Sequence, residues 1–295
     1  MWSTLLHLRI PFSWFLLPVF LFSLSFSPNI NESRLMWVFI ILHLLVYPAS
    51  NGYNSYFDRD EQSIGLLRHP PKVNRSLYFI SLLLDGLALI LSYIHINTTF
   101  ALMVLVYGLA SKAYSHPSVR LKKYPVSGWI TAGFFQGFFT FLTCYIGLND
   151  FEISQALRPQ IIAPALLSSI MLWGNYPLTQ VYQHQEDAQR GDLTLSLRLG
   201  ITGTFYFSGW MFLLAGVGFV VLFHYMFSGK YLREFVLAMA PVVLFFAFWF
   251  YRVRQHPDYA RYDYAMWMNF ISSTSLNVFF GYLFLHSTNV LQAFG

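Results

Sequence analysis

Two polar stretches carry side chains whose types and spacing could hold a metal ion and a phosphate. The first, NGYNSYFDRDEQ (51–62), follows directly on the apolar run LMWVFIILHLLVYPAS; the second is TQVYQHQEDAQRGDLTLSLRLG (179–200). Charge at such a boundary needs a reason, because ionisable groups near a bilayer are costly and often functional. If the chain is helical there, Asn54, Asp58 and Gln62 at i, i+4, i+8 share one face, and so do Gln180, Gln183 and Asp187 at i, i+3, i+7. Oxygen ligands of this kind suit Mg²⁺, which takes one or two carboxylates and completes its shell with waters and substrate phosphates. Basic loop residues nearby would suit the remaining phosphate charge. The plainer reading of Asp58 and Asp187 is helix-end solvation, and Asn54 could simply cap or cross-link helices.

The rest of the chain explains where these stretches sit. Its 295 residues are 56% hydrophobic and only 11% charged, with a mean hydropathy of +0.49. A soluble domain carries about 25% charged residues, so the balance is that of a polytopic membrane protein. Cys144 is the single cysteine, which excludes an internal disulfide, and nothing suggests a cysteine-based metal site. The net charge of +5 follows from the loops and gives no reason to expect nucleic acid. The N-terminal apolar run continues to Pro28 without a small-residue cleavage site, and reads as a retained first span.

A membrane span needs roughly 20 mostly apolar residues. Nine stretches meet this, at about 10–28, 35–54, 77–96, 98–114, 128–148, 161–183, 203–227, 233–251 and 267–286. No segment between them is long enough for a second core, so an all-α bundle of nine transmembrane helices in one domain, 1–295, is expected. With nine spans, fourteen of the 18 Lys and Arg fall on the side of the N-terminus and four (Arg34, Arg158, Lys230, Arg233) on the other. The positive-inside rule then puts the N-terminus, and both polar stretches, on the cytoplasmic side of the cell membrane.

Three motifs, taken in order, resemble those of the UbiA superfamily of intramembrane prenyltransferases. The family pattern N-x-x-x-D-x-x-x-D after the second span is similar to Asn54-x-x-x-Asp58-x-x-x-Gln62, with Arg59 following the aspartate. The pattern D-x-x-D-x-x-x-D-x-x-x-G-x-x-T after the sixth is similar to Gln180-x-x-Gln183-x-x-x-Asp187-x-x-x-Gly191-x-x-Thr194. Between them, YSHPSVRLKKYPVSG (114–128) resembles Y-S-x-P…L-K-x-x-P-x-x-G. Three motifs in register over most of the chain are far more specific than any one of them.

The resemblance implies a nine-helix bundle with its active site at the cytoplasmic face. It implies Mg²⁺ held by Asp58 and Asp187, with Asn54, Gln62, Gln180 and Gln183 as further ligands, one ion per motif. The diphosphate of a prenyl donor would be met by Asn54, Arg59, Arg120, Lys122 and Lys123, and the allylic cation left by its departure would be trapped by a lipophilic, aromatic or quinone-like acceptor within membrane lipid. Three of five family aspartates are glutamine here, at 62, 180 and 183. Glutamine keeps a carbonyl oxygen but no charge, so these three read equally as weak ligands or as hydrogen-bonding helix glue. Asp60, Glu61 and Glu186 lie off the helical face and could substitute if the helix ends there. An intramembrane terpene cyclase and a non-catalytic isoprenoid-binding descendant are the alternatives. A secondary transporter fits less well, since transporter sites lie near the midplane.

Asp85 stands alone in the middle of the third span, in LLLDGLAL. A mid-span acid normally faces the bundle interior; a hydrogen-bonded structural role and contact with an acceptor are its two readings. Asn269 and Asn277 in the last span raise the same choice, with helix glue favoured. Aromatic residues are 20% of the chain and could line an isoprenoid tunnel or the membrane interface.

Overall fold

The computed structural model describes residues 2–288. The chain is 80% helix, with no strand among the described residues. The helices are α1 (Trp2–Phe15), α2 (Leu17–Leu24), α3 (Glu32–Asp58), α4 (Ser76–His95), α5 (Thr98–Ser115), α6 (Pro125–Asn149), α7 (Pro159–Leu178), α8 (His184–Arg190), α9 (Leu195–Phe227), α10 (Leu232–Gln255) and α11 (Tyr262–Ser287).

All nine expected stretches are helical. Six helices (α3, α4, α6, α7, α9 and α10) are long and apolar enough to cross a membrane, and α1 with α2, bent by 42°, makes a seventh if the pair is one span. The remaining two, α5 and α11, fall short of that standard. Most expected boundaries shift by a few residues, and two shifts bear on the site. The stretch 161–183 stops at Leu178, where Thr179–Gln183 turn, and α9 begins at Leu195, ahead of 203, with a kink at Gly200.

Aromatic side chains tie the first helices to the last. Phe22 of α2 stacks on Phe280 of α11 with ring centroids 4.3 Å apart, and also meets Phe141 of α6 and Phe219 of α9. Such aromatic pairs add about 0.5–1.5 kcal/mol beyond their buried area. Phe205, Trp249 and Met268 form a second cluster between α9, α10 and α11.

Helix α6 widens into a π-helical segment at Phe134–Phe139. Ser169 of α7 makes this tolerable, because its Oγ accepts from the Phe138 N–H and donates to the Gly133 carbonyl, both at 2.8 Å. Backbone groups freed from the regular ladder must find such partners in an apolar surround. The widened turn presents Phe135 and Gln136 to the pocket described next.

The mid-span Asp85 of α4 is ion-paired with Lys112 of α5, whose ammonium also lies 5.0 Å from the Tyr53 ring centroid. Asn269 of α11 accepts from Asn175 of α7 at 2.8 Å, and Asn277 donates to the Trp14 carbonyl at 3.2 Å. All three polar residues thus join helices.

Candidate functional site

The C-terminal end of α3 supplies Asn54 and Asp58. The helix stops at Asp58 because Arg59 adopts a left-handed conformation (φ 51°) as its C-cap. The face expected to run on to Gln62 therefore ends one turn early: Gln62 and Arg59 are exposed and outside the pocket wall, while Asp60 turns inward and is buried. Asp60 thus occupies the ground that helical periodicity assigned to Gln62.

The loop between α5 and α6 supplies the cations. Arg120 is left-handed (φ 45°), and the short 3₁₀ turn Leu121–Lys123 after it points Lys122 inward and leaves Lys123 exposed. Gly128 makes this turn possible, because a Cβ there would lie 3.0 Å from the Lys122 Cα and 3.2 Å from its carbonyl oxygen. Lys122 pairs with Asp58 Oδ1 and reaches Asn54 Oδ1 at 3.4 Å, which also accepts from Ser115 at 2.8 Å. Arg120 lies 3.5 Å from the same Asp58 oxygen and grips Asp192 through two hydrogen bonds of 2.9 and 2.7 Å.

The second motif follows α7. Gln180 and Gln183 lie in the turn after it, and Asp187 in α8, so the three are not on one continuous helix although all line the same pocket. Gln183 donates to the Ser63 carbonyl at 3.3 Å, a bond that joins the two motif segments, while Gln180 Oε1 is buried and has no hydrogen-bond partner among the described residues. Helix α8 ends at Gly191, whose φ of 72° suits glycine. The turn it makes brings Asp192 back beneath α8, its N–H donating to the Asp187 carbonyl at 2.9 Å. Arg190 then lies among four carboxylates: it is paired with Asp60, and lies 3.1 Å from Asp187 and 3.7 Å from both Glu186 and Asp192.

The electrostatics follow from this crowding. Burial pushes the Asp187 carboxyl up to about 6, with Arg190 opposing. Asp60 is also raised, by burial and then by the Asp58 charge, against Arg190 and Lys122. Burial alone would raise Asp192 too, but the hydrogen bonds and charge of Arg120 hold it below its ordinary value. Burial alone would lower Arg190, yet Asp60 and its neighbours raise it.

Asn54, Asp58, Asp60, Lys122, Gln180, Gln183, Asp187, Arg190 and Asp192 line a polar pocket of about 220 Å³ that also takes in Arg9, Tyr107, Tyr114, Phe135 and Tyr176. Asn269 belongs to its wall and to that of a second, largely apolar cavity of about 890 Å³ between α2, α7, α9, α10 and α11. Of the expected site residues, Asn54, Asp58, Lys122, Gln180, Gln183 and Asp187 meet in the pocket, Arg120 braces it from behind, and Arg59, Gln62 and Lys123 lie outside. Sequence spacing does not single out Arg190, Asp192 or Arg9 as site members; Arg9 and Arg190 count there only toward the positive-inside asymmetry. Their one signal was that Arg190 and Asp192 flank the motif glycine.

A cation could be held here. Among the described residues no three His, Cys, Asp or Glu side chains form a ligand cluster. Mg²⁺ needs only one or two carboxylates beside substrate phosphates, however. Both contacts on Asp58 fall on Oδ1, and among the described residues Oδ2 accepts no hydrogen bond. The donor set therefore fits a hard divalent ion that arrives with a phosphate.

Residues 14–272 match the model of the UbiA prenyltransferase family. Solved structures with similar folds include a UbiA homologue from Archaeoglobus fulgidus bound to DMAPP and Mg²⁺, at 17% identity and a TM-score of 0.69, covering 98% of this chain and 99% of that one. The same homologue bound to GPP and Mg²⁺ gives 17% and 0.66, covering 96% and 99%. A digeranylgeranylglyceryl phosphate synthase gives 18% and 0.62, covering 96% and 98%. At these identities the likeness is one of fold. No curated protein sequence matches the chain.

Proposed function

From the premise that the chain belongs to the UbiA prenyltransferase family, we propose that it transfers a prenyl group from a prenyl diphosphate to a lipophilic, aromatic or quinone-like acceptor in the membrane. The reading includes nine crossings, with the N-terminus and the pocket on the cytoplasmic side. One observation carries it: Asn54, Asp58, Lys122 and Asp187, from three separated segments, share one polar pocket that adjoins a large apolar cavity at Asn269. A volume of about 890 Å³ lies within the roughly 300–1,000 Å³ of small-molecule sites. The diphosphate belongs in the polar pocket and the hydrocarbon in the apolar one.

The residues divide the work. Asp58, through its open Oδ2, would hold a Mg²⁺ ion, which when bound supplies Lewis-acid stabilisation of the departing diphosphate, and Asn54, whose Oδ1 accepts from Ser115 and Lys122, positions the lysine beside it. Lys122 lies beside both and offers its remaining N–H groups to phosphate oxygens. Arg120 keeps Asp58 and the Asp192 turn in register. The bond broken is the allylic C–O bond, its electron pair leaving with the diphosphate; the bond formed joins the allylic carbon to the acceptor, which loses a proton. Tyr107, Tyr114, Phe135 and Tyr176 line the pocket and stabilise the developing allylic cation by cation–π attraction while keeping water from it.

Diphosphate release tests the reading. Purified protein is given geranyl, farnesyl and geranylgeranyl diphosphates with and without Mg²⁺, with phenolic and quinone acceptors present. The expected result is Mg²⁺-dependent release, a prenylated acceptor in the organic extract, and loss of both in the Asp58→Ala, Asp187→Ala double variant. Release that yields only cyclised hydrocarbon would replace transfer with cyclisation. No release from any donor would remove the enzyme reading.

A further inference from the structure

The two motif carboxylates are not equally free to bind a metal. Asp58 keeps Oδ2 without a hydrogen bond among the described residues, its contacts all falling on Oδ1. Asp187 has a protein partner at each oxygen, with Oδ1 3.1 Å from Arg190 and Oδ2 3.4 Å from the Thr194 hydroxyl. Its neighbours in the motif, Gln180 and Gln183, carry no charge and each offers a metal only a carbonyl oxygen.

Arg190 stands between the carboxylates of the two motif segments. It draws together Asp60 from the first motif segment and Glu186, Asp187 and Asp192 from the second. Four carboxylates ranged around one side chain repel one another unless a cation stands among them. The guanidinium faces all four, Nη1 toward Asp60 and Glu186, Nη2 toward Asp187 and Nε 3.7 Å from Asp192, and its side chain lines the pocket. A divalent ion on Asp187 would lie within a few ångströms of the guanidinium, like charge against like. The two cations are therefore alternatives at that place.

We infer that Arg190 takes the place of a second divalent ion: the pocket binds one metal, on the Asp58 side, and the guanidinium supplies the fixed positive charge on the Asp187 side. A fixed cation needs no recruitment from solution and suits a motif in which glutamine stands at positions 180 and 183. The inference rests on the reading of the pocket as a diphosphate site.

Counting ions tests it without any turnover. The full chain in detergent is titrated with Mn²⁺ at saturating inorganic pyrophosphate, with bound Mn²⁺ followed by electron paramagnetic resonance and pyrophosphate affinity by calorimetry. One Mn²⁺ per chain is expected. Arg190→Gln is expected to weaken pyrophosphate at least tenfold at saturating Mn²⁺, and Arg190→Lys to retain most of the affinity. Arg190→Gln with Gln183→Asp, which removes the cation and restores an acid, is expected to take a second Mn²⁺. Two ions per wild-type chain would overturn the inference while leaving the diphosphate site intact, as would unchanged pyrophosphate affinity in Arg190→Gln. If the variants fail to fold, the wild-type count still decides. Absence of pyrophosphate binding at any Mn²⁺ concentration would instead bring down the proposed function and this inference with it.

Discussion

Arg120 holds Asp192 with two parallel hydrogen bonds, Nε to Oδ1 at 2.9 Å and Nη2 to Oδ2 at 2.7 Å. This bidentate grip locks the turn after Gly191 to the loop that carries Lys122, and a second tie runs from the Leu193 N–H to the Lys123 carbonyl at 3.0 Å. Lysine cannot reproduce the fork. Arg120→Lys is expected to lose about 1–3 kcal/mol, read as a lower melting temperature in detergent, with weaker pyrophosphate binding because Lys122 and Asp187 lose their register.

The same contact sets a pH dependence. Asp192 is held below its ordinary value of 3.8, the Arg120 hydrogen bonds and charge outweighing burial. A depressed carboxyl stabilises the fold above the unfolded value, and that stabilisation is lost as the pH falls through the lower folded one. Asp192→Asn should therefore lower the melting temperature at pH 7 but approach wild type as the pH drops below about 3.8. A gap that stays constant with pH would mean that the charge of Asp192 is irrelevant.

Lys122 and Lys123 are adjacent in sequence and opposite in placement, one buried against Asp58 and the other exposed. Removing a preorganised charge from a reacting site costs about 10²–10³ in rate. Lys122→Ala should show that loss in diphosphate release, and Lys123→Ala should stay within a few-fold of wild type. Equal losses would point to overall loop charge and away from one positioned ammonium.

Sequence spacing located this pocket because its three motif segments are short and each contains a residue that the fold turns inward. It misjudged the residues that depend on where helices stop. Periodicity carried the first face on to Gln62, but the left-handed Arg59 ends α3 at Asp58 and swings Asp60 into the wall in its place. It likewise ran one helix through Gln180, Gln183 and Asp187, where Thr179–Gln183 form a turn. Arg190 and Asp192 were hidden because only the turn at Gly191 folds them back onto Asp60 and Arg120. Parity within Leu121–Lys123 depends on a 3₁₀ turn seated against Gly128, which no local pattern announces. The helices themselves were legible, since apolar runs of this length have few other structures.

Gly128 gives that seating a direct test. An alanine methyl would stand 3.0 Å from the Lys122 Cα, where backbone and not a flexible side chain must yield. Overpacking of this kind costs about 1–3 kcal/mol. Gly128→Ala is expected to raise the KM for the donor through a displaced Lys122, with a smaller change in the acceptor KM. Parallel rises in both would indicate general damage.

Asp85 and Lys112 form an ion pair between α4 and α5, each side chain about one-fifth exposed. Removing one partner of a buried pair strands the other charge, at a cost of about 3–5 kcal/mol when burial is complete and less for a pair still touched by solvent. Asp85→Asn and Lys112→Met alone should each lower the melting temperature, and the double variant should recover much of the loss. Because the pair lies outside the pocket wall, metal and pyrophosphate binding should change little in any folded variant. Recovery in the double variant would assign Asp85 to helix pairing; a stable single variant that loses acceptor turnover would assign it to the acceptor.

If the hydrocarbon of the donor enters the apolar cavity as proposed, the depth of that cavity bears on which donors fit. Gly216 of α9 lines it, and a Cβ there would meet nothing within 4 Å. A larger side chain at 216 can therefore project into the void without displacing backbone, and its cost to folding should be small. Gly216→Leu is expected to lower kcat/KM for geranylgeranyl diphosphate by about tenfold, on the scale of the 1–3 kcal/mol that one misplaced methylene group commands in a hydrophobic pocket. Geranyl diphosphate should be affected far less, because its shorter chain need not reach that depth. Equal losses for both donors would mean that the hydrocarbon takes another path from the polar pocket, and would leave this cavity to the acceptor.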